Sequence, residues 1–120
     1  MKSKEGHLQS ECVKWFRLAY PKLALNLIAV PNGGSRNAME AHNLKLQGVT
    51  AGVSDLVLFV ARCDYHGLCI EMKYGAGKQT DTQKEWEKAV VNEGYQYRVI
   101  RNFDEFKSLI DMYLKIKSWN

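Results

Sequence analysis

Leu8, Cys12, Trp15, Phe16 and Ala19 recur at helical spacing, so residues 5–19 read as an amphipathic helix that Pro21 ends. The short apolar run 25–30 reads as a strand, and Pro31-Asn32-Gly33-Gly34 after it is a turn signal. Residues 37–47 are helix-like, with Gly48 as the C-cap and Thr50-Ala51-Gly52 as loop. The runs 56–61 and 68–72 are apolar and β-rich, and residues 64–67 between them make the pair a hairpin. Gly75-Ala76-Gly77-Lys78 is a basic loop, and Thr80-Asp81-Thr82-Gln83 has the form of a capping box opening a helix that ends near Gly94. Residues 95–100 alternate as a strand does. A second cap, Asn102 to Glu105, opens a last helix with Phe106, Leu109, Ile110, Tyr113 and Leu114 on its apolar side. The order α-β-α-β-β-α-β-α predicts an α/β fold, a small mixed sheet flanked by helices, in one domain over residues 1–120.

Composition narrows this picture only slightly. Apolar residues are 46% and charged residues 25% of the 120, ordinary for a globular chain that buries a core without staples. A net charge of +4 and a pI of about 9.0 lean towards a polyanionic partner. Cys12, Cys63 and Cys69 form no CxxC pair, and His7, His42 and His66 share no ligand spacing, which argues against a zinc site. No apolar run approaches the roughly 20 residues of a membrane span, so no membrane partner is expected. MKSKEGHLQ has no signal-peptide core. With an odd cysteine count, that leads us to expect a reducing cytoplasm rather than secretion.

Candidate chemistry sits where charge interrupts an apolar run. Side chains alternate along a strand, so Glu71 and Lys73 share one face of the segment 68–73. With the hairpin turn centred near Asp64, antiparallel pairing sets Asp55 opposite the stretch from Glu71 to Lys73. Two close carboxylates repel, and burial protonates one of them unless a cation intervenes. A hard divalent cation such as Mg²⁺ takes oxygen ligands, activates water and screens phosphate charge. Lys73 would position that water or offset charge at phosphorus. Asp-x(15)-Glu-x-Lys is nevertheless a loose pattern, and a solvated edge-strand face carries the same residues.

An ordered set of motifs flanks these residues. Glu5 and Gln9 open the helix that carries Trp15; Pro31-Asn32-Gly33-Gly34 precedes Arg36; and Gly48 precedes Ala51-Gly52-Val53-Ser54-Asp55-Leu56. Gly67-Leu68 precedes Ile70-Glu71-Met72-Lys73; then come Gln83 with Trp86, and Gly94-Tyr95. Over nearly its whole length the chain resembles the virus-type replication–repair nuclease (VRR-NUC) domain of the PD-(D/E)xK nucleases, which implies a restriction-endonuclease-like core. It departs from that pattern at Ser54, where the family commonly has proline. The resemblance implies a Mg²⁺-dependent phosphodiesterase, with Mn²⁺ substituting. Asp55, Glu71 and the Ile70 carbonyl would hold the metal, Lys73 would be catalytic, and a glutamate of the first helix would join the site, directly or through water. Glu5 lies about 40° from the centre of the apolar helix face and Glu11 about 80°, and the family's spacing to Gln9 and Trp15 also selects Glu5. Gln83 has two readings, closure of the capping box or a place at the rim of the site, which one side chain is not expected to fill fully at once.

The turn at 31–34 could offer amides of Asn32 and Gly33 to a phosphate, with Arg36 and Lys78 adding charge; its alternative is an ordinary tight turn. Members of this size resemble dimeric resolvases of branched DNA. A two-fold dimer supplies the two symmetric cuts that a four-way (Holliday) junction in DNA repair requires. Tyr113, Leu114, Ile116 and Trp119 of the last helix are the candidate interface, against packing across the sheet. The expectation is a structure-selective DNA endonuclease acting as a homodimer. The alternatives are a sequence-specific restriction-type endonuclease, a DNA-binding module without cleavage and a basic RNA-binding domain, though no RNP-like or KH-like signature is present.

Overall fold

The computed structural model describes residues 3–31 and 37–115. Within them α1 spans Lys4–Ala19, a 3-10 turn Pro21–Asn26, β1 Leu27–Ala29, α2 Ala38–Leu46 and β2 Leu56–Leu58. β3 spans Leu68–Met72, α3 Asp81–Asn92, β4 Gln96–Ile100 and α4 Phe103–Lys115. Ser3 caps α1 by accepting the Gly6 N–H at 3.0 Å, and Asn37 caps α2 by accepting the Glu40 N–H at 2.8 Å. The expected order of helices and strands holds, with the 3-10 turn added.

The sheet runs β1-β2-β3-β4. β1 with β2 and β2 with β3 are antiparallel, and β3 with β4 is parallel. A parallel neighbour needs a crossover, which α3 supplies. Leu56, Leu58, Leu68, Ile70, Met72 and Ile100 turn to one face, where they bury Cys12 and Phe16 of α1 and Phe106, Ile110 and Tyr113 of α4. The other face of β3 carries Cys69 and Glu71, continued by Lys73, beneath α3.

Two strands are shorter than the apolar runs suggest. Residues 25–30 divide because Leu25 lies in the 3-10 turn at 95% exposure, and only Leu27–Ala29 pairs. β2 stops at Leu58 rather than continuing to residue 61. Leu58 faces Leu68, and the next bridge is Arg62 with Tyr65. Three residues therefore oppose two, and the extra residue bulges the ribbon. Asn26 fastens the outward side there, taking the Phe59 N–H at 2.8 Å on its main-chain oxygen and giving its side-chain amide to the Phe59 carbonyl at 2.9 Å.

The last helix also differs from expectation. Tyr113 is 1% exposed and donates its hydroxyl to the Val60 carbonyl at 2.7 Å, while Leu114 packs against the core. Tyr113 therefore belongs to the core, and Leu114 is half-buried against it. Ile116 and Trp119 lie outside the described residues.

Candidate active site

Asp55 immediately precedes β2, and β2 pairs with β3 through Leu56 and Ile70. One step beyond that pair the same register sets Asp55 against Glu71. The Asp55 carboxylate accepts the Met72 N–H at 2.7 Å, closing the end of the ladder with a side chain. This bond fixes its position beside Glu71, on which its charge acts.

Glu71 is 2% exposed. Its Oε2 accepts the Gln83 side-chain amide at 3.2 Å and lies 3.7 Å from the Lys73 ammonium. Its Oε1 is buried with no hydrogen-bond partner. Burial, and then the charge of Asp55, push the Glu71 carboxyl up to about 8; Lys73 opposes this and Glu5 adds to it. A buried carboxylate oxygen without a donor is unfavourable, so the arrangement calls for a proton or a cation.

Lys73 is 8% exposed and directly follows β3, its N–H bonded to the Ile100 carbonyl at 2.9 Å. A Cβ on Gly77 would come 3.7 Å from the Lys73 Cδ, so the 75–78 loop lies along the lysine stem. Arg101 clamps that loop, donating to the carbonyls of Gly75 at 2.9 Å and Gly77 at 2.7 Å. This clamp was missed in the sequence because it spans some 25 residues and has no local signature.

Gln83 closes the α3 capping box, its Oε1 taking the Thr80 N–H at 2.9 Å, while its Nε2 donates to Glu71. The two readings of this residue are therefore compatible, because they use opposite ends of the amide. With the oxygen held by Thr80, the NH₂ faces Glu71. The loop carrying Asp55 is seated on the same turn of helix. Gly52 has φ +89°, and a Cβ there would fall 2.3 Å from the Thr82 carbonyl oxygen. Glycine is required on both counts.

Strand geometry revises the main-chain contribution. Met72 turns its N–H toward Asp55, so its carbonyl and those of alternate residues point to that same side. The Ile70 carbonyl consequently faces its ladder partner Leu56. The Met72 carbonyl lies two residues past Ile70, the last β3 residue paired with β2, and on the side of Asp55, which makes it the alternative main-chain oxygen. Among the described residues no group of three or more His, Cys, Asp and Glu side chains forms a metal cage.

Glu5 lies exposed in the first turn of α1, and its charge reaches Glu71. Glu11 instead acts on Cys12, whose thiol burial pushes up to about 12. Lys4 stands 5.2 Å over the Tyr74 ring, tying the start of α1 to the chain just after Lys73. Lys78 is exposed at the end of its loop. Asn32, Gly33 and Arg36 lie outside the described residues. No helix among the described residues is long and apolar enough to cross a membrane.

A mixed sheet flanked by helices, with Asp, Glu and Lys gathered at the end of its central ribbon, defines the PD-(D/E)xK class of core. The VRR-NUC domain family model matches residues 2–104, and the chain belongs to this family. A solved structure described as a VRR_NUC domain protein superposes with a TM-score of 0.85 at 31% identity, over 100% of this chain and 95% of that one. No curated protein matches the chain. Membership implies a nuclease-type function and DNA as the partner class.

Proposed function

We propose that this chain is a divalent-metal-dependent, structure-selective DNA endonuclease that hydrolyses phosphodiester bonds of branched DNA as a homodimer. The observation that carries the reading is the buried Glu71 Oε1, without a donor and beside a second carboxylate. A cation answers both the missing donor and the repulsion. The donor set is all oxygen, which suits Mg²⁺, with Mn²⁺ as substitute. Asp55, Glu71 and the Met72 carbonyl would hold it, with Glu5 contributing through water. When bound, such an ion lowers the pKa of water and screens phosphate charge.

The chain's own groups supply the rest. Lys73, with its stem packed under the glycine loop, orients the attacking water or offsets charge at phosphorus. Gln83 holds Glu71 through Oε2 and leaves Oε1 without a donor. Lys78 on the exposed loop contacts the DNA backbone, as would Asn32, Gly33 and Arg36. The dimer rests on the need for two symmetric cuts at a four-way junction.

The test compares four-way junction, flap, nicked duplex, linear duplex and single strand, each with Mg²⁺, Mn²⁺ or EDTA. Metal-dependent cutting that prefers junction or flap is expected. Cutting confined to one duplex sequence would make it a restriction-type enzyme, and DNA binding without cutting in any metal would defeat the reading. Light scattering should give about twice 13.7 kDa; a monomer that resolves junctions would remove the two-cut argument.

A further inference from the structure

The aromatic side chains of this protein are mostly put to work in the core. Trp15 packs edge-on against Tyr20, Phe103 and Phe106, and Trp86 meets Tyr97. Among the described residues two rings remain half exposed, Phe59 and Tyr74. Phe59 follows β2, at the opposite end of that strand from Asp55. Tyr74 directly follows Lys73, and its ring meets the Lys4 ammonium.

Tyr74 forms one wall of a groove of about 530 Å³ with Lys4, His7, Leu8 and Glu11 of α1. The first turns of α1 link the groove to the site: Lys4 and His7 line the groove, and the charge of Glu5 between them acts on Glu71. The Lys4 ammonium lies 5.2 Å over the ring, which stays 50% exposed. Lys4 and His7 offer positive charge or hydrogen-bond donors, and Leu8 offers an apolar contact. Glu11 is the one acid in the lining, a donor-seeking group that suits a base edge or sugar hydroxyl and opposes a phosphate.

We propose that this groove binds one unstacked nucleotide of the strand being cut, with its base on the Tyr74 ring and its phosphate near Lys4. The inference rests on the nuclease reading and specifies its substrate. A base in continuous duplex is already stacked and has no free face to offer. A base at a flap or branch point has one, and stacking on an aromatic side chain is tolerant of sequence. The groove therefore gives a physical source for preferring branched DNA without reading bases.

The test uses the full-length chain and DNA carrying 2-aminopurine at the first unpaired position of a flap. The reference is the same base within linear duplex. Binding is read in EDTA, so the outcome does not depend on cutting. Quenching of the flap probe by the wild type is expected. Tyr74→Phe should keep it, and Tyr74→Ala should lose it and weaken flap binding about tenfold, with duplex binding unchanged. Lys4→Ala should weaken binding of both DNAs while keeping the quench. In Mg²⁺, Tyr74→Ala should lower the flap-to-duplex ratio of cutting rates. An unchanged quench and affinity in a folded Tyr74→Ala protein would overturn the inference while leaving the nuclease reading intact. A chain that quenches the probe yet never cuts would overturn the nuclease reading and keep the groove.

Discussion

The two faces of β3 are equally buried and chemically opposite. Leu68, Ile70 and Met72 are 0–1% exposed and meet α1 and α4, while Cys69, Glu71 and Lys73 are 2–8% exposed beneath α3. On the first face every group is satisfied by contact with hydrocarbon. On the second, Glu71 keeps an oxygen with no donor, against a second carboxylate. Folding alone gives no reason for that cost, because apolar residues of similar volume would pack there at least as well. The difference teaches that burial does not separate structural from functional residues. Unmade hydrogen bonds at buried charge do.

The sharpest way to break this comparison is to remove the charge. Asp55→Ala, Glu71→Ala and Lys73→Ala should each reduce Mg²⁺-dependent cleavage at least about a hundredfold, the scale of losing a group that stabilises the transition state. Each protein should keep its circular dichroism spectrum. Wild-type cutting by any one of them would remove that residue from the chemistry. On the opposite face, Ile70→Ala should cost about 2–5 kcal/mol in chemical denaturation through lost burial and the cavity left. The surviving folded fraction should cut normally. A loss of cutting without a loss of stability at Ile70 would blur the distinction between the faces.

A gentler probe is pH. The Glu71 carboxyl sits at about 8 in the folded chain against an ordinary value of 4.5. The folded state therefore holds this proton more tightly than the unfolded state does. Its contribution is fully present below about 4.5 and is lost as pH rises through about 8. In EDTA, Tm should fall over this window, after allowance for other titrating groups. Glu71→Gln should flatten the decline, because the amide carries no ionisable proton. Added Mg²⁺ should restore stability most at the alkaline end, where no proton competes. A Tm–pH profile identical in wild type and Glu71→Gln would show that the carboxyl is solvated in solution.

What the sequence disclosed divides along the same line. A hairpin's centre determines which residues face each other, so the meeting of Asp55 and Glu71 followed from the spacing of two apolar runs. The Thr80–Gln83 and Asn102–Glu105 caps were legible because each is complete within four residues. The face of a strand on which a side chain lies is also legible, but the edge toward which a carbonyl points depends on which neighbour pairs there. The Met72 carbonyl is therefore proposed in place of that of Ile70. Leu25 failed as a strand residue because an apolar run does not reveal the 3-10 turn that Pro21 begins. Gly52 under Thr82, Arg101 over the glycine loop and Lys4 over Tyr74 are contacts between distant segments, with no periodicity to announce them.

The smallest expected effect concerns how far the charged face extends onto α1. Glu5 and Glu11 are both exposed acids on one helix, and neither is needed for the core. They differ in whom they reach. Glu5 is among the charges that raise Glu71, whereas Glu11 acts on Cys12 and lines the groove with Tyr74. Glu5→Gln removes a negative charge near the carboxylate pair and should reduce cleavage about tenfold or less, since at most one water-mediated contact is lost. Part of that loss should reverse at higher Mg²⁺, because a weaker contribution to the cation's field is a binding defect. Glu11→Gln should leave cleavage of linear duplex at the wild-type rate. If Glu11→Gln proved the more damaging, and its loss were likewise recovered by Mg²⁺, the acid that the first helix lends to the carboxylate pair would be Glu11, six residues further along, rather than Glu5.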